Sequence, residues 1–283
     1  MSKRLPPWLV PSRPRRPQME GLGRRLAGMG IHTVCQSARC PNLGECFSQG
    51  NATFMIMGDV CTRDCRFCAV GHGRPGPLDP GEPQRVAEAA RMLGLRHVVI
   101  TSVTRDDLAD GGAAHFAAAI DAVRRTLPEA TVEVLVPDFG GRADSLETVL
   151  AAGPDVLNHN VETIARLYPR VRPQADYSRS LELLRRASGR SPGCLTKSGF
   201  MVGLGESFDE VVSLLADLRS VGTHAVTIGQ YLQPTPDHLP VAGYVPPAVF
   251  EEYGRAARRL GFRRVLSGPL VRSSYHAGDL VGN

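Results

Sequence analysis

From residue 53 onward, the chain alternates short apolar runs rich in β-branched residues with longer stretches whose apolar positions recur at helical spacing. The short runs predict six strands, at residues 53–57, 97–103, 131–136, 155–158, 195–202 and 224–228, and a short seventh run covers residues 265–266. The longer stretches predict helices over residues 84–93, 113–126, 145–151, 161–167, 178–187, 209–220 and 247–260.

Strands that alternate with helices indicate βαβ crossovers and therefore a parallel sheet. Six such units are two short of a complete eight-fold barrel. The pattern favours either a partial (β/α) barrel or an open, doubly wound sheet. Both architectures place their chemistry at the carboxyl ends of the strands.

The charge of the chain is concentrated at one end. There are 33 Lys and Arg residues against 28 Asp and Glu, a net charge of +5. Residues 1–18 hold five basic residues and no acidic one, so the remaining body, with 28 basic and 28 acidic residues, is formally neutral. This distribution argues against a generally basic, nucleic-acid-binding surface. With no apolar run long enough to span a bilayer and no secretory signal, we expect a cytoplasmic, reducing environment.

Six of the seven cysteines lie within 34 residues, which under reducing conditions indicates a metal site rather than disulfides. The segment CTRDCRFC places Cys61, Cys65 and Cys68 directly after the first predicted strand. Three thiolates at this spacing can wrap around one inorganic cluster, and because iron–sulfur cubanes normally use four Cys, one iron stays open for a substrate. The alternative is a structural zinc, which needs a fourth ligand and could recruit His72.

This C-x3-C-x2-C arrangement, with Phe67 before the last Cys, resembles the radical S-adenosylmethionine (SAM) superfamily. The resemblance implies that the open iron chelates the amino and carboxyl groups of the methionine moiety. Residues 199–206, GFMVGLGE, are similar to the G-x-I-x-G-x-x-E pattern that this superfamily places on its fifth strand, beside the adenosyl group. Gly199 and Gly203 would then let the nucleoside approach the backbone, and Glu206 would pair with a polar neighbour at the rim. The alternative is an ordinary glycine-rich turn between a strand and a helix.

Polar residues near other strand ends are further candidates for the SAM site. Asp106 follows the second strand, where the superfamily often binds the methionine amino group, although a loop or cap role is also open. Asn158 ends the fourth strand, near the expected ribose site, while Glu162 could serve as the N-terminal acid of a helix. Lys197 lies on the fifth strand, where alternation sends every second side chain inward.

An N-terminal triad, Cys35, Cys40 and Cys46, precedes the radical SAM motif with the spacing C-x4-C-x5-C. The two triads could combine into one six-Cys site, but two separate clusters are the simpler interpretation. With this triad, the chain resembles the lipoyl synthase family. The agreement covers about residues 30–280 and includes TSVTRDDLADGGA, HNVET, TKSGFMVGLGE, GQYLQPTPDHLPV and GPLVRSSYHA.

The resemblance implies a fold and an auxiliary site. The fold is a partial (β/α)6 TIM-like barrel of the radical SAM type, with an N-terminal cluster-binding extension and a C-terminal extension. The N-terminal triad would hold an auxiliary 4Fe–4S cluster whose fourth ligand is a serine oxygen from an R-S-S-Y motif, here residues 272–275. We expect the ligand to be Ser274, with Ser273 as the alternative. An alkoxide matches iron–sulfur chemistry less well than a thiolate, so it makes a labile ligand.

The resemblance also implies an activity, cofactors and partners. Two 4Fe–4S clusters and SAM would serve to insert two sulfur atoms at C6 and C8 of a protein-bound octanoyl-lysine. An electron delivered to the Cys61, Cys65 and Cys68 cluster would cleave SAM to a 5′-deoxyadenosyl radical, and the auxiliary cluster would donate the sulfur and be consumed. The expected partners are an octanoylated carrier (an E2 lipoyl domain of a 2-oxoacid dehydrogenase or the glycine cleavage H protein), an electron donor such as flavodoxin or ferredoxin, and a cluster-repair protein. Neither a membrane nor a nucleic acid is expected.

The interpretation divides the chain into four segments: a flexible basic tail (residues 1–18), an extension with the auxiliary cysteines (19–52), the barrel (53–262) and a C-terminal segment that closes the site (263–283). The competing hypotheses are a biotin-synthase-like enzyme, a tRNA-methylthiotransferase-like enzyme, and a zinc-stabilised module that binds nucleic acid through its basic tail. The first does not explain the N-terminal triad together with R-S-S-Y. The second should carry a basic RNA-binding domain, which a neutral body lacks.

Overall fold

The computed structural model describes residues 5–10, 16–190 and 193–280, except for the side chains of residues 16–19 and 280. Its strands are β1 (His32–Thr33), β2 (Thr53–Ile56), β3 (Val60–Cys61), β4 (Gly71–His72), β5 (His97–Ser102), β6 (Thr131–Leu135), β7 (Val156–Asn158), β8 (Leu195–Val202), β9 (Ala225–Gln230) and β10 (Arg264–Ser267). Its α-helices are α1 (Arg16–Gly28), α2 (Val34–Ser37), α3 (Leu43–Ser48), α4 (Glu82–Met92), α5 (Ala113–Thr126), α6 (Ala143–Ala151), α7 (Tyr168–Val171), α8 (Tyr177–Arg190), α9 (Phe208–Ser220) and α10 (Pro247–Arg259). Short 3-10 turns occur at Pro7–Leu9, Phe139–Gly141, Ala165–Leu167 and Ala277–Leu280.

The main sheet has eight strands in the order β1-β2-β5-β6-β7-β8-β9-β10. Every neighbouring pair from β2 to β10 is parallel, and only β1 pairs antiparallel, along β2. The six predicted strands are therefore confirmed, in chain order across the sheet, as a partial barrel. Strand β10 extends the same sheet. A separate parallel pair, β3 and β4, flanks the segment that carries Cys61, Cys65 and Cys68.

The helices between the strands are amphipathic and bury their apolar faces against the sheet. In α5, the side chains of Phe116, Ile120 and Val123 are inaccessible to solvent and lie three to four residues apart, as one helix face requires. Burial of each such side chain is worth about 1.5–3 kcal/mol. Helix α9 begins with a capping box between Ser207 and Glu210, which satisfies backbone N–H groups that the first turn would leave unpaired.

The predicted helix over residues 161–167 is wrong in its first half. Glu162 has φ 65°, in the left-handed region, and its backbone pairs with Phe200 of β8. The 3-10 turn at Ala165–Leu167 and helix α7 follow this extended segment. The apolar spacing favoured a helix, but the backbone here continues the edge of the sheet and places Glu162 beside the site.

The described residues of the N-terminal segment form a 3-10 turn and the beginning of helix α1. Residues 1–4 and 11–15 of the predicted tail lie outside the described residues. Leu9 is fully buried within the turn Pro7–Leu9, and α1 begins at Arg16. The boundary predicted at residue 18 falls inside α1, and the flexibility of the tail stays a prediction. Among the residues described, no helix is both long and apolar enough to cross a membrane.

Candidate active site

A cavity of about 650 Å³ opens at the carboxyl ends of the parallel strands, and both cysteine triads line it. The C-terminal half of β5 and the residues that follow β6 contribute to its wall, as the topology predicts. From the C-terminal part of the chain come Arg272, Ser273, Ser274 and Tyr275. The structure thus brings together two cysteine groups and a serine pair that lie more than 200 positions apart in sequence.

The loop of the Cys61, Cys65 and Cys68 triad is held by backbone hydrogen bonds to the loop after β5 and to helix α7. Thr62 N–H donates to the carbonyl of Thr104 (3.0 Å), and Arg66 N–H donates to the carbonyl of Val171 (3.0 Å). The Cys61 sulfur accepts from the N–H groups of Arg63 (3.4 Å) and Thr104 (3.3 Å). Backbone donors aimed at a sulfur stabilise a thiolate and are a recurring feature around iron–sulfur clusters.

Arg63, between Cys61 and Cys65, ties this loop to the ends of β5 and β6. It is buried, and its guanidinium donates to Asp106 (2.7 and 2.8 Å) and to Asp138 (2.6 Å). Although burial disfavours ionisation, the hydrogen bond and charge of Arg63 keep the pKa of Asp138 well below its ordinary value. Asp106 is therefore paired with the cluster loop itself.

The cysteines of each triad lie close enough to raise one another's pKa, although burial is the larger cause. Burial first, and then neighbouring cysteines, raise the pKa of Cys65 to about 11, that of Cys68 to about 12 and that of Cys46 to about 12, although Arg172 partly opposes the shift at Cys65. Thiolates this close together repel one another unless a positive charge lies between them. The donor sets therefore fit iron–sulfur clusters, whose iron ions supply that charge.

The N-terminal triad of Cys35, Cys40 and Cys46 lies on and between two short helices that follow β1. The Thr33 side chain caps α2, and Cys35 is buried on that helix. Arg39, with φ 52°, turns the chain so that Cys40 also faces the cavity, and Cys46 lies on α3. The sequence did not predict these helices, because four- and six-residue segments are too short to show a period.

The C-terminal segment crosses directly over this triad. The Asn42 side-chain amide donates to the carbonyl of Leu270 (2.7 Å), and the Tyr275 hydroxyl donates to the carboxylate of Glu45 (2.9 Å). These two contacts, 228 and 230 positions apart in sequence, hold the segment on both sides of the serine pair. Ser273 accepts a hydrogen bond from the Asn160 amide (2.7 Å), whereas Ser274 makes no hydrogen bond with any other part of the described chain.

A polar group lies at the far wall of the cavity, and sequence reasoning missed two of its members, His159 and Arg172. Glu162 accepts from the Asn160 amide (3.1 Å), and Arg172 donates to the Asn160 carbonyl (2.9 Å). His159 donates from Nδ1 to the carbonyl of Val136 (2.8 Å), which leaves Nε2 as a buried acceptor without a partner among the described residues. Burial, and then Arg172, lower the pKa of His159 to about 4. The available signal was the segment HNVET at residues 159–163, in which only the residues from Val161 onward were predicted to be helical.

The predicted SAM contacts divide into those that line the cavity and those that do not. Phe67 lines it. Asp106 pairs with Arg63, and Asn158 is fully buried with its amide donating to Glu133 (3.1 Å). Gly199 lies directly beneath the cavity floor, since a Cβ there would come within 2.5 Å of Thr227 Oγ1 and 2.8 Å of Ser273 Oγ.

Gly203 and Glu206 stabilise the turn after β8 and do not line the cavity. Gly203 has φ 98°, and a Cβ would collide with the side chain of Gln230 and the carbonyl of Gly243. The carboxylate of Glu206 accepts from the N–H groups of Gly203 and Leu204. The glycine-rich pattern therefore has a structural role that the sequence also allowed.

The zinc alternative finds no support in the geometry. Nowhere in the described parts of the chain do three or more His, Cys, Asp or Glu side chains form a group that could hold a single ion. A cubane spreads its ligands over several corners, so its thiolates stand farther apart than those of one ion. His72, the potential fourth ligand, is exposed, interacts with Asp64 at 3.6 Å and does not line the cavity.

Comparisons with known proteins agree with this geometry. The model of the Radical SAM superfamily matches residues 55–218. A lipoyl synthase from Caldanaerobacter subterraneus subsp. tengcongensis is 58% identical over 280 residues, covering 98% of this chain and 97% of that protein. A lipoyl synthase from Rubrobacter xylanophilus is 57% identical, covering 97% of this chain and 85% of that protein.

Two solved structures share the fold at low sequence identity. HydG, a maturase of the FeFe-hydrogenase, aligns with a TM-score of 0.60 and 15% identity over 89% of this chain and 66% of that chain. Methylornithine synthase aligns with a TM-score of 0.56 and 15% identity over 91% of this chain and 72% of that chain. At this identity the two structures support the partial barrel alone.

Proposed function

Since this chain belongs to the lipoyl synthase family of radical SAM enzymes, we propose that it inserts two sulfur atoms, at C6 and C8, into an octanoyl chain amide-linked to a lysine of a carrier protein. One observation carries the proposal: both cysteine triads and the serine pair line the same cavity. A radical generated at one triad and a sulfur held at the other must meet at one substrate, and this arrangement allows that meeting.

We propose that Cys61, Cys65 and Cys68 hold one 4Fe–4S cluster and that Cys35, Cys40, Cys46 and a serine hold a second. When bound, the first cluster with SAM supplies a radical that abstracts hydrogen, and the second supplies sulfur. The protein provides positions for these groups. Thr62, Arg63 and Arg66 fix the loop of the Cys61, Cys65 and Cys68 site against the ends of β5 and β6 and against helix α7. Asn42 and Tyr275 hold the C-terminal segment over the Cys35, Cys40 and Cys46 site.

Two observations support Ser274 over Ser273 as the fourth ligand. The hydroxyl of Ser273 is engaged by Asn160. Ser274 also lines a second, smaller cavity together with Cys35 and Cys46, which Ser273 does not. These observations support the Ser274 hydroxyl as the one available to a metal held by Cys35, Cys40 and Cys46.

SAM would occupy the side of the cavity near Phe67, with Gly199 below it. The polar groups Asn160, Glu162, Arg172 and His159 offer donors and acceptors for its ribose and charged amino-acid moiety. The buried Nε2 of His159 can only accept, which suits a hydroxyl or an amino group. We keep Asp106, Asn158, Gly203 and Glu206 as proposed contributors that act through the loops they stabilise.

The octanoyl chain would lie along the apolar part of the wall, formed by residues such as Val34, Met55, Val103, Leu135 and Met201. An apolar wall binds an alkyl chain by removing it from water, at about 0.8 kcal/mol per buried CH₂. It also excludes the solvent that would quench a radical. How deeply the octanoyl chain is inserted then determines whether C6 and C8 lie near the two triads.

The proposed segments follow from these roles: residues 19–52 carry the auxiliary site, residues 53–262 the barrel, and residues 263–283 its closure, although β10 belongs to the sheet. We propose as carrier an E2 lipoyl domain or the glycine cleavage H protein. Flavodoxin or ferredoxin would donate electrons, and a cluster-repair protein would restore the auxiliary site. The proposed setting is the cytoplasm.

The proposal is tested by anaerobic incubation of reconstituted protein with SAM, a reductant and an octanoylated peptide. Mass spectrometry should show a peptide that has gained two sulfur atoms, with 5′-deoxyadenosine as co-product. A matched incubation without SAM should leave the peptide unchanged. Formation of 5′-deoxyadenosine without any sulfur gain in a protein shown to hold iron at both triads would contradict the proposed function.

A further inference from the structure

The segment between β9 and α10, residues 231–246, borders the large cavity and also contacts the cluster loop, residues 61–68. Leu232, Gln233 and Pro234 of this segment line the cavity. The segment holds most of the motif GQYLQPTPDHLPV, to which neither proposed cluster site assigns a role. It therefore connects the cavity wall with the cluster loop.

Two adjacent residues of this segment hold two carbonyl groups of the cluster loop. His238 Nε2 lies 2.9 Å from the carbonyl oxygen of Cys68, and Leu239 N–H donates to the carbonyl of Arg66 at 3.0 Å. Because a carbonyl oxygen only accepts hydrogen bonds, Nε2 of His238 must carry the proton. The two carbonyls belong to the residues on either side of Phe67, so the backbone of Phe67 is held from both ends.

Thr235 determines which nitrogen of His238 carries that proton. The Thr235 hydroxyl lies 2.7 Å from Nδ1 of His238. A neutral imidazole has one donor and one acceptor nitrogen. With Nε2 donating to Cys68, Nδ1 therefore accepts from the Thr235 hydroxyl, and the two contacts together fix both the proton and the orientation of the ring.

The segment is itself held in place by hydrogen bonds at its start. Tyr231 is buried, its N–H donates to the carbonyl of Val202 on β8 (2.8 Å), and its hydroxyl donates to the carbonyl of Leu239 (2.7 Å). The Gln233 side-chain amide donates to the carbonyl of His238 (2.8 Å). Since Gln233 lines the cavity, one hydrogen bond links the cavity wall to the residue that holds Cys68.

We propose that His238 is a positioning residue for SAM: its hydrogen bond to Cys68 fixes the end of the cluster loop, and with it the position of the Phe67 ring in the cavity wall. The inference rests on the proposed function, in which SAM occupies the side of the cavity near Phe67. Phe67 lines the cavity, and both Phe67 and Leu239 pack against the buried apolar cluster that contains Tyr231. Without the bond from His238, part of the free energy of SAM binding would be spent on ordering this end of the loop.

Three variants separate the hydrogen bond from the bulk of the side chain. His238→Ala removes the donor. His238→Gln supplies a donor again, because the Gln amide nitrogen can take the place of Nε2 and donate to the same carbonyl. His224→Ala is the matched control: His224 immediately precedes β9, is half-buried like His238, and holds Nδ1 2.9 Å from the hydroxyl of Thr196, but it does not line the cavity.

The experiment uses the full chain with Cys35, Cys40 and Cys46 replaced by Ala, so that only the cluster loop can be loaded with iron and sulfide. Equilibrium titration measures the Kd for SAM. Electron paramagnetic resonance of the reduced protein, with and without SAM, reports how SAM meets the loaded site. Iron content per chain and circular dichroism check that each variant is loaded and folded.

His238→Ala should load as much iron as the parent but bind SAM about fivefold more weakly, equivalent to about 1 kcal/mol, with an altered spectrum in the presence of SAM. His238→Gln should recover most of the affinity and the parent spectrum, and His224→Ala should match the parent in both. A parent-like Kd and spectrum in His238→Ala, or a loss of affinity that His238→Gln does not recover, would overturn the positioning role.

A milder variant keeps the test decisive if His238→Ala does not load. Thr235→Val removes only the hydroxyl that sets the proton on Nε2, so it should weaken SAM binding in the same direction and by less. A Thr235→Val chain that loads normally and binds SAM with the parent Kd would then refute the inference.

Failure of this inference is distinguishable from failure of the proposed function, because SAM binding to the loaded cluster loop requires neither an octanoyl chain nor sulfur insertion. An intact parent chain that inserts sulfur, together with normal SAM binding in His238→Ala, refutes only the positioning role. Weakened SAM binding in His238→Ala, together with an intact parent chain that inserts no sulfur, refutes only the function.

Discussion

Lys197 on β8 forms an ion pair with Glu133 on β6 inside the barrel, and its removal is predicted to be strongly destabilising. Both side chains are fully buried, and Lys197 Nζ lies 2.8 and 3.1 Å from the two carboxylate oxygens. Glu133 also accepts from Asn158 (3.1 Å) and lies 3.4 Å from His97 Nε2. Lys197→Met keeps the apolar stem but leaves a buried carboxylate without its cation. The expected cost is about 3–5 kcal/mol in the free energy of unfolding.

Unfolding of the cluster-free chain by denaturant, followed by circular dichroism, measures this cost. Arg185→Ala is the surface control, because Arg185 pairs with Glu182 at 2.7 Å while remaining 60% exposed, and such pairs contribute at most about 1 kcal/mol. Replacing both buried partners, by Lys197→Met with Glu133→Leu, should recover part of the loss, since no charge is then left alone. A loss below about 1 kcal/mol for Lys197→Met would refute the reasoning.

The Lys197–Glu133 pair also predicts the direction in which the free energy of unfolding changes with pH. Burial raises the pKa of Glu133, but Lys197 and His97 outweigh it and lower that pKa below its ordinary value. The stability contributed by the ionised carboxylate is therefore present above about pH 4.3, the unfolded value, and is lost as the pH falls through the folded pKa. In Lys197→Met burial is opposed only by His97 and by the hydrogen bond from Asn158, so acid relieves the cost. The difference between parent and variant should be larger near about pH 7.5 than near about pH 5.

Three further predictions concern the site. Cys61→Ala should abolish reductive cleavage of SAM, whereas Cys40→Ala should retain cleavage and lose sulfur insertion; lipoyl product from Cys40→Ala, measured by mass spectrometry, would contradict the separate roles. Ser274→Ala should alter the spectroscopic signature of the auxiliary cluster more than Ser273→Ala, and the reverse order would reassign the ligand. Tyr275→Phe removes a hydrogen bond to a carboxylate, worth about 1.5–3 kcal/mol when buried and less in this half-exposed position, so it should speed loss of auxiliary iron to a chelator without changing iron at the other triad.

The barrel could be predicted because the apolar pattern of each strand and helix is contained in a short stretch of sequence. Each strand and helix from β5 to α10 carries its own period of apolar residues, and parallel βαβ units have few ways to assemble. The same argument predicted that the cysteines after β2 lie at the carboxyl edge of the sheet. It failed where local patterns are short or ambiguous. Helices α2 and α3 are too brief to show a period, and the apolar spacing after Val161 favours a helix that the left-handed φ of Glu162 prevents.

The site itself depends on contacts that no local pattern encodes. Ser274 comes to the N-terminal triad because Asn42 and Tyr275 form hydrogen bonds across nearly the whole chain. The position of Asp106 depends on Arg63, which lies inside the other cysteine motif. A motif names the residues that can serve as ligands, but only these long-range bonds determine which of them face the cavity. Variants that break such bonds while leaving every cysteine and serine in place therefore test the site more directly than loss of the ligands themselves.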